Sequence, residues 1–240
     1  MNKCILLISI TLIFAEGFGQ HKTVTLYYPD DSTNVVSITN LDSMIIFICG
    51  ASKVNYEGQS YNTVLIGNQC WLKENLNAGV RININQNASD NDTIQKSCYN
   101  DLEANCNIYG GLYHWHEAMQ YSTTEGVQGI CPTGWHIPSE AELHTLNDLV
   151  SSSGNALKEI GQGTGDGAGT NTSGFSGLLS GYRHFNSHFA ELTQILHIWS
   201  STIDGTTNAR HMYLNYLNNS ISYHVGQIDG YAFSVRCIRD

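Results

Sequence analysis

Charge is what this chain has least of. Only 13% of its 240 residues are charged, with 11 Lys and Arg against 21 Asp and Glu and a formal net charge of −10. No basic block interrupts that acidity, so the chain lacks the electrostatic footprint of a nucleic-acid binder and a patch for anionic lipid. The paired C-x-x-C and C-x-x-H spacings of zinc sites are missing. So is a G-x-S-x-G nucleophile elbow. The glycine-rich run 161–169 fits neither G-x-G-x-x-G nor a P-loop, since no Lys follows it. No segment repeats at the period of about 20–50 residues that builds solenoids. What is present instead is Gly (23), with abundant Asn, Ser, Thr and Tyr, the vocabulary of a loop-rich exported protein.

The one long apolar run lies at the start. Residues 4–14 follow the basic opening Met1-Asn-Lys3 and precede small residues at Gly17 and Gly19, which reads as a signal peptide over 1–19. The run is too short to span a bilayer as a helix, so the expectation is a secreted or cell-surface protein that is not transmembrane after cleavage. Cys4 opens the run rather than following it, which speaks against a lipid-anchored cysteine. Of seven cysteines, Cys49, Cys70, Cys98, Cys106, Cys131 and Cys237 then remain. An even number in an oxidising compartment points to disulfides, and six cysteines can pair in many ways. Cys98 and Cys106, flanking a short polar loop, are the easiest local pair. Cys131 and Cys237 make the natural long-range clamp, and Cys49 with Cys70 is left over.

Along the chain, residues 23–28 and 35–38 alternate around the turn cluster 29–34, a hairpin signal, and 44–48 reads as a short buried strand. Residues 20–57 therefore form a small β appendage and linker, and 58–240 the main domain. There, residues 61–66 and 69–72 are strands joined at Gly67-Asn68, and 83–92 is an exposed loop. Leu112, Trp115, Ala118 and Met119 recur at helical spacing and predict a helix over 111–121. Ser139 and Glu142 form a capping box ahead of Leu143, Leu146, Leu149 and Val150, a second helix. Short strands fill 175–237. Two early helices and a late β half make an α+β fold.

Several motifs then carry a resemblance. They are Tyr61-x-Thr-Val-x-Ile-Gly-x-Gln-Cys-Trp-Leu-x-Glu-Asn-Leu76, Tyr109-Gly-Gly-Leu-Tyr-x-Trp115, Cys131-Pro-x-Gly-Trp-His-x-Pro-Ser139, Gly174-Phe-Ser176, Gly181-Tyr-Arg183, Trp199-Ser-Ser201 and Phe233-Ser-Val-Arg-Cys237. In this order, over about residues 58–240, they resemble the Fibrobacter succinogenes major paralogous domain (FISUMP) family. Leu179-Ser180 departs from the Pro-Gly of that pattern. The appendage resembles a short β segment found before such domains in exported Bacteroidetes proteins. The family is similar to the C-type-lectin-like superfold shared with formylglycine-generating enzymes. That likeness implies a domain whose two ends meet in one sheet, consistent with the Cys131–Cys237 clamp.

No catalytic constellation emerges. Formylglycine-generating enzymes use a cysteine pair near the domain's end, where this chain has Cys237 alone. His114 and His116 flank Trp115 at a spacing that points them apart on a helix. His136 sits within a family motif and reads as structural. Calcium is the better metal expectation, through Asn and Asp oxygens in 87–92 and at Asp166, but the lectin sugar-and-calcium signatures are absent and the cofactor expectation is none. The segment 201–233 has no Glu, Lys or Trp and is crowded with Asn, Ser, Thr, Tyr, His and Asp. That is a paratope-like mixture, or else ordinary loop composition. The resemblance implies that the segment could be diversified.

The expected function is non-catalytic recognition of a glycan or protein ligand, without nucleic acid. Its surface would be Arg183, His184, His188, Asp204, Asn208, Arg210, Tyr213, Asn215, Tyr216, Tyr223, His224 and Tyr231. The alternatives are a structural surface or fibre subunit, and a formylglycine-generating-like enzyme.

Overall fold

The computed structural model describes residues 22–27, 33–38, 47–186 and 188–240. The signal-peptide reading of 1–19 and most of the 44–48 strand lie outside them, and Phe47 and Ile48 are not in a strand. The chain divides into two compact units between Phe47 and Ile48. In the first, β1 (Lys22–Tyr27) pairs antiparallel with β2 (Thr33–Ile38) from Lys22↔Ile38 to Tyr27↔Thr33, the hairpin that the alternation predicts.

The second unit begins before the expected boundary at residue 58. β3 (Lys53–Tyr56) pairs with β4 (Gln59–Ile66), and Cys49 is bonded to Cys70 in β5 (Gln69–Leu72). A strand partner and a disulfide thus tie 49–56, read from sequence as appendage and linker, to the main domain. The hairpin of β4 and β5 turns at Gly67, whose φ of 60° favours glycine.

The chain continues through β6 (Val80–Ile82), β7 (Gln95–Ser97) and α1 (Glu103–Tyr109) to β8 (Tyr113–His114) and α2 (Trp115–Ala118). The supposed loop between Cys98 and Cys106 enters α1, and the disulfide closes across it. The helix expected over 111–121 shrinks to the four residues of α2. Tyr113 and His114 are instead claimed by strand pairing with Phe233 and Ala232. Leu112, Trp115, Ala118 and Met119 are all buried as the periodicity required, so the pattern predicted their burial and not their backbone.

β9 (Trp135–His136) leads into α3 (Glu140–Leu149), then α4 (Gly154–Leu157). The capping box is present. Ser139 Oγ accepts from Glu142 N at 3.2 Å and Ser139 N donates to Glu142 Oε2 at 2.8 Å. His136 is structural, wedged between Glu142 Oε1 (2.9 Å) and Asp240 Oδ1 (2.6 Å).

The last part is sheet: β10 (Ser180–His184), β11 (His188–Leu192), β12 (Ile195–Asp204), β13 (Asn208–Asn215), β14 (Ile221–Gln227), β15 (Ala232–Phe233) and β16 (Ile238–Arg239). One sheet runs β14-β13-β12-β10-β15-β8, with β11 also on β10, and another runs β3-β4-β5-β16-β9. The fold is therefore α+β and rich in sheet. Between the sheets and α3 lies the core, including Trp71, Leu143, Leu146, Phe175, Ile198, Met212 and Ile238. Cys131 is bonded to Cys237 just before β16, so the clamp fixes the edge where the late strand enters the early sheet. Among the described residues, no helix is long and apolar enough to cross a membrane.

Candidate functional site

Alternate residues of a strand face opposite sides of its sheet, and that rule divides the C-terminal sheet into two surfaces. In β12 and β13, Leu196, Ile198, Met212 and Leu214 enter the core against α3. The residues between them, Ile195, His197, His211, Tyr213 and Asn215, face the other way. The register sets His197 opposite Tyr213 and His211 opposite His224.

On that outer side lies a concavity of about 310 Å³ lined by these five residues with Tyr182, Glu191, His224, Val225, Gly226, Tyr231 and Phe233. Its floor is aromatic. Trp199, fully buried, stacks 4.3 Å from Phe233 and donates from Nε1 to the Tyr113 carbonyl at 2.8 Å. Gly226 makes room, since a Cβ there would come within 2.8 Å of the Trp199 ring. Tyr182, Tyr231 and Phe233 contact one another at centroid separations of 5.6 to 6.0 Å.

Two imidazoles sit against this floor. His197 stacks on Phe233 at 4.4 Å, and its Nδ1 lies 3.3 Å from Nδ1 of His211. Burial, reinforced by His224, holds His211 down at about 3, while burial with His211 and His224 pushes His197 well below its ordinary value. Both are neutral at pH 7, so one can donate to the other. An enzymatic reading calls for a perturbed pair in a pocket, but imidazoles held this far below neutrality are weak bases at pH 7. Glycoside hydrolysis, however, commonly uses two carboxyl groups, and Glu191 is the one carboxylate in the lining. Cys237 offers no thiolate because it is bonded to Cys131.

The surface expected from sequence divides across the sheet. Tyr213, Asn215, His224 and Tyr231 line the concavity. His184 and His188 pair across the β10–β11 hairpin, stack at 4.5 Å and stand beside Tyr231, 5.2 Å from the His184 ring. Tyr223 and Tyr216 pack against the core instead. Tyr223 OH donates to the Leu143 carbonyl at 3.0 Å, and its ring lies 4.0 Å from His144 on α3. Arg210, Asp204 and Asn208 are not in that lining either. Arg210 reaches Asp204 at 3.3 Å and Glu140 at 3.8 Å, and Asp204 pairs with Asn208 where the β12–β13 hairpin turns.

Arg183 is corrected outright: it is 3% exposed and cannot present a contact surface. Its guanidinium donates to the Ile84 carbonyl (2.8 Å) and Asn87 Oδ1 (3.0 Å), and meets His114 Nε2 at 3.0 Å. It thus anchors the 83–92 loop from beneath. Burial and this neighbouring cation lower His114 to about 4. Sequence reasoning missed Tyr182, Glu191, His197, His211 and Phe233. The signal was available in the alternation of 195–199 and 209–215, which separates the two faces.

A second cleft, about 480 Å³, includes Lys73, Glu74, Asn75, Glu159 and Arg236 in its walls. Several of its polar groups are committed to holding neighbouring segments of the chain. Glu74 accepts from Asn62 N (2.8 Å), Asn75 accepts from Arg236 (2.7 Å), and Arg236 also donates to the Phe175 carbonyl while lying over its ring.

Metal-ligand geometry is sparse. Among the described residues, the one group of three close His, Cys, Asp or Glu ligand atoms is Cys98, Glu103 and Cys106, and both its sulfurs are in a disulfide. At the glycine-rich loop, the Lys158 ammonium is surrounded by the carbonyls of Gly167 (2.5 Å), Asn215 (2.7 Å) and Asn218 (2.9 Å), with burial lowering it to about 8. A cation's oxygen cage is therefore filled by the chain itself.

No curated protein and no solved structure matches the chain. The family model described as the Fibrobacter succinogenes major domain does match, over residues 64–239. That span takes in the strands from β5 to β16, the three-carbonyl cage around Lys158 and the aromatic concavity, and the chain belongs to this family.

Proposed function

We propose that the protein is a non-catalytic recognition module, exported to the cell surface or beyond, that binds a glycan in the concavity of its C-terminal sheet. The observation that carries this reading is the lining itself. Tyr182, Tyr213 and Tyr231 offer ring faces for the C–H side of a sugar above the buried Phe233, beside Asn215 and Glu191 as hydrogen-bonding groups for hydroxyls. The site is open and partly preformed, as a small-ligand cleft should be. Eight of its lining residues lie in the segment 201–233 rich in Tyr and small polar groups, among them the expected surface residues Tyr213, Asn215, His224 and Tyr231, so variation at these four would alter specificity over the buried ring of Phe233.

The lectin-like likeness fits with this. β16, at the end of the family domain, pairs with β5 near its beginning and with β9, so both ends share one sheet. Three disulfides suit an oxidising compartment.

A glycan array probed with the full chain, with calcium and again with chelator, tests the reading. Saturable binding that Tyr213→Ala weakens at least about tenfold, with the fold intact, is the expected result. Binding that survives the chelator would make calcium dispensable, whereas its loss would bring the oxygen-rich 87–92 loop and Asp166 back into consideration. An array silent toward a correctly disulfide-bonded sample would overturn the glycan reading in favour of protein recognition or assembly.

A further inference from the structure

The glycan reading can be narrowed by the charge of the cleft, which is one-sided. Among the described residues Glu191 contributes the carboxylate of the lining and no Lys or Arg lines the concavity, the other titratable groups there being the tyrosines and the imidazoles of His197, His211 and His224. Among the described residues, no Lys or Arg forms an ion pair with Glu191. Its charge is felt at Tyr182, whose hydroxyl is pushed up by burial and then by Glu191, so the carboxylate lies close to an aromatic wall.

The nearest strand-borne cations are turned away. Arg183 follows Tyr182 in β10, faces the opposite side and is spent on the Ile84 carbonyl and Asn87. Arg210 is held by Asp204 and Glu140. The two imidazoles of the floor add no positive charge at pH 7, since burial holds both below their ordinary range. An acidic sugar would therefore meet one uncompensated carboxylate and no fixed basic partner.

A cation would meet the reverse. Ring faces attract cations through their quadrupole, most strongly where water is displaced. Tyr182, Tyr231 and Phe233 form a mutually contacting trio, with Tyr182 edge-on to Phe233 at 77° and Tyr231 nearly parallel to it at 26°. An aromatic enclosure with a single unpaired carboxylate is the chemistry that holds an ammonium group. A purely neutral sugar would leave Glu191 without a charged partner.

We infer that the concavity selects sugars carrying a protonated amine over N-acetylated and acidic ones, with Glu191 as counterion and Tyr182 and Tyr231, braced by the buried Phe233, as the surrounding faces. This rests on the glycan reading and deepens it.

Calorimetric titration of the full chain at about pH 5.5, where the sugar amines are protonated and an ordinary Glu carboxyl is ionised, tests the selectivity, using short oligomers of glucosamine, N-acetylglucosamine and galacturonate of equal length. Glucosamine oligomers bind at least about fivefold tighter than the acetylated ones, a ratio within the range of one partly desolvated cation–π contact, and galacturonate binds weakest. Glu191→Gln collapses the glucosamine-to-acetylated ratio toward one. Tyr231→Leu, which keeps an apolar side chain, also lowers that ratio and serves as a second variant if the first is poorly folded. Equal affinity across the three, a preference for galacturonate, or a ratio unmoved by both variants overturns the inference while leaving the glycan reading in place. Silence of the wild-type chain toward every sugar on the array removes both.

Discussion

The two faces of the β12–β13–β14 sheet are built from neighbouring residues and have opposite characters. Toward α3, Leu196, Ile198, Met212 and Leu214 are dry and close-packed, and even the tyrosine on that side, Tyr223, has its hydroxyl tied to the Leu143 carbonyl. Toward the outside, His197, His211 and Tyr213 stand beside Tyr182, Tyr231 and Phe233 around an open concavity. Both faces use aromatic and polar side chains. What distinguishes them is whether a helix covers the surface: register separates the two faces, and the tertiary fold decides which of them α3 covers.

The frame beneath both faces comes first in size. Cys131–Cys237 closes a loop of sequence separation 106, for which the chain-entropy account gives about 4–5 kcal/mol. Replacing both cysteines by Ser should lower the urea midpoint sharply and release both faces together. A midpoint that barely moved would mean that the packing around Trp71 and Ile238 holds the sheets without the clamp.

The comparison is broken more selectively with a pair of tyrosines. Tyr223→Ala removes a ring from the core face together with the hydroxyl that donates to the Leu143 carbonyl, for a loss of about 2–4 kcal/mol. Tyr213→Ala, on the open face, should change stability by less than about 1 kcal/mol while abolishing most sugar binding. Urea unfolding with parallel binding titrations checks both. Equal effects of the two variants on binding would remove the distinction between the faces.

That pair also shows how far the sequence was legible. Local grammar read well. The Ser139–Glu142 capping box, the β4–β5 hairpin and the Cys98–Cys106 pair follow from short spacings, Cys131–Cys237 is the long-range clamp expected around the domain, and Cys49–Cys70 is the pair left over. Tyr113 and His114 were misread because a strand over a hundred residues away, β15, overrides their helical spacing. The candidate surface was found as a segment rather than as a face. Composition picks out Tyr213 and Tyr223 alike, yet they point to opposite sides, and Arg183 looks available although the 83–92 loop covers it. His197 and Tyr182 belong to the cleft but sit outside the segment whose composition drew attention. Period-two alternation would have separated the faces, but which side α3 covers depends on the tertiary fold.

Acidity acts in opposite directions on the buried imidazoles of the larger sheet and on His136 of the other. Burial lowers His211 to about 3, His114 to about 4 and His197 well below the ordinary 6.5. As pH falls below 6.5 the unfolded chain takes up these protons before the folded one does. The associated stability is therefore complete above 6.5 and is lost progressively toward about 3. His136 runs oppositely, because its bond to Glu142, helped by Asp240, raises it. Its contribution is complete below 6.5 and disappears as pH rises through its raised value. Urea midpoints across pH should fall on the acid side, where three imidazoles outweigh one, and His136→Gln should flatten the decline just above 6.5. A midpoint that rose steadily toward pH 4 would contradict the neutral state of the open face's imidazoles.

The smallest effect belongs to the pair Arg210–Asp204, at the turn end of the same hairpin. Arg210 is over a third exposed, and its contacts with Asp204 and Glu140 are 3.3 and 3.8 Å. Solvent screens such pairs, so Arg210→Ala should lower stability by no more than about 0.5–1 kcal/mol, and less in high salt. It should leave sugar affinity nearly unchanged, because neither Arg210 nor Asp204 lines the concavity. A large loss of binding would mean that the ligand extends past the aromatic floor to the hairpin turn. The recognition surface would then be a longer strip of the sheet's end, taking in Asp204 and Asn208.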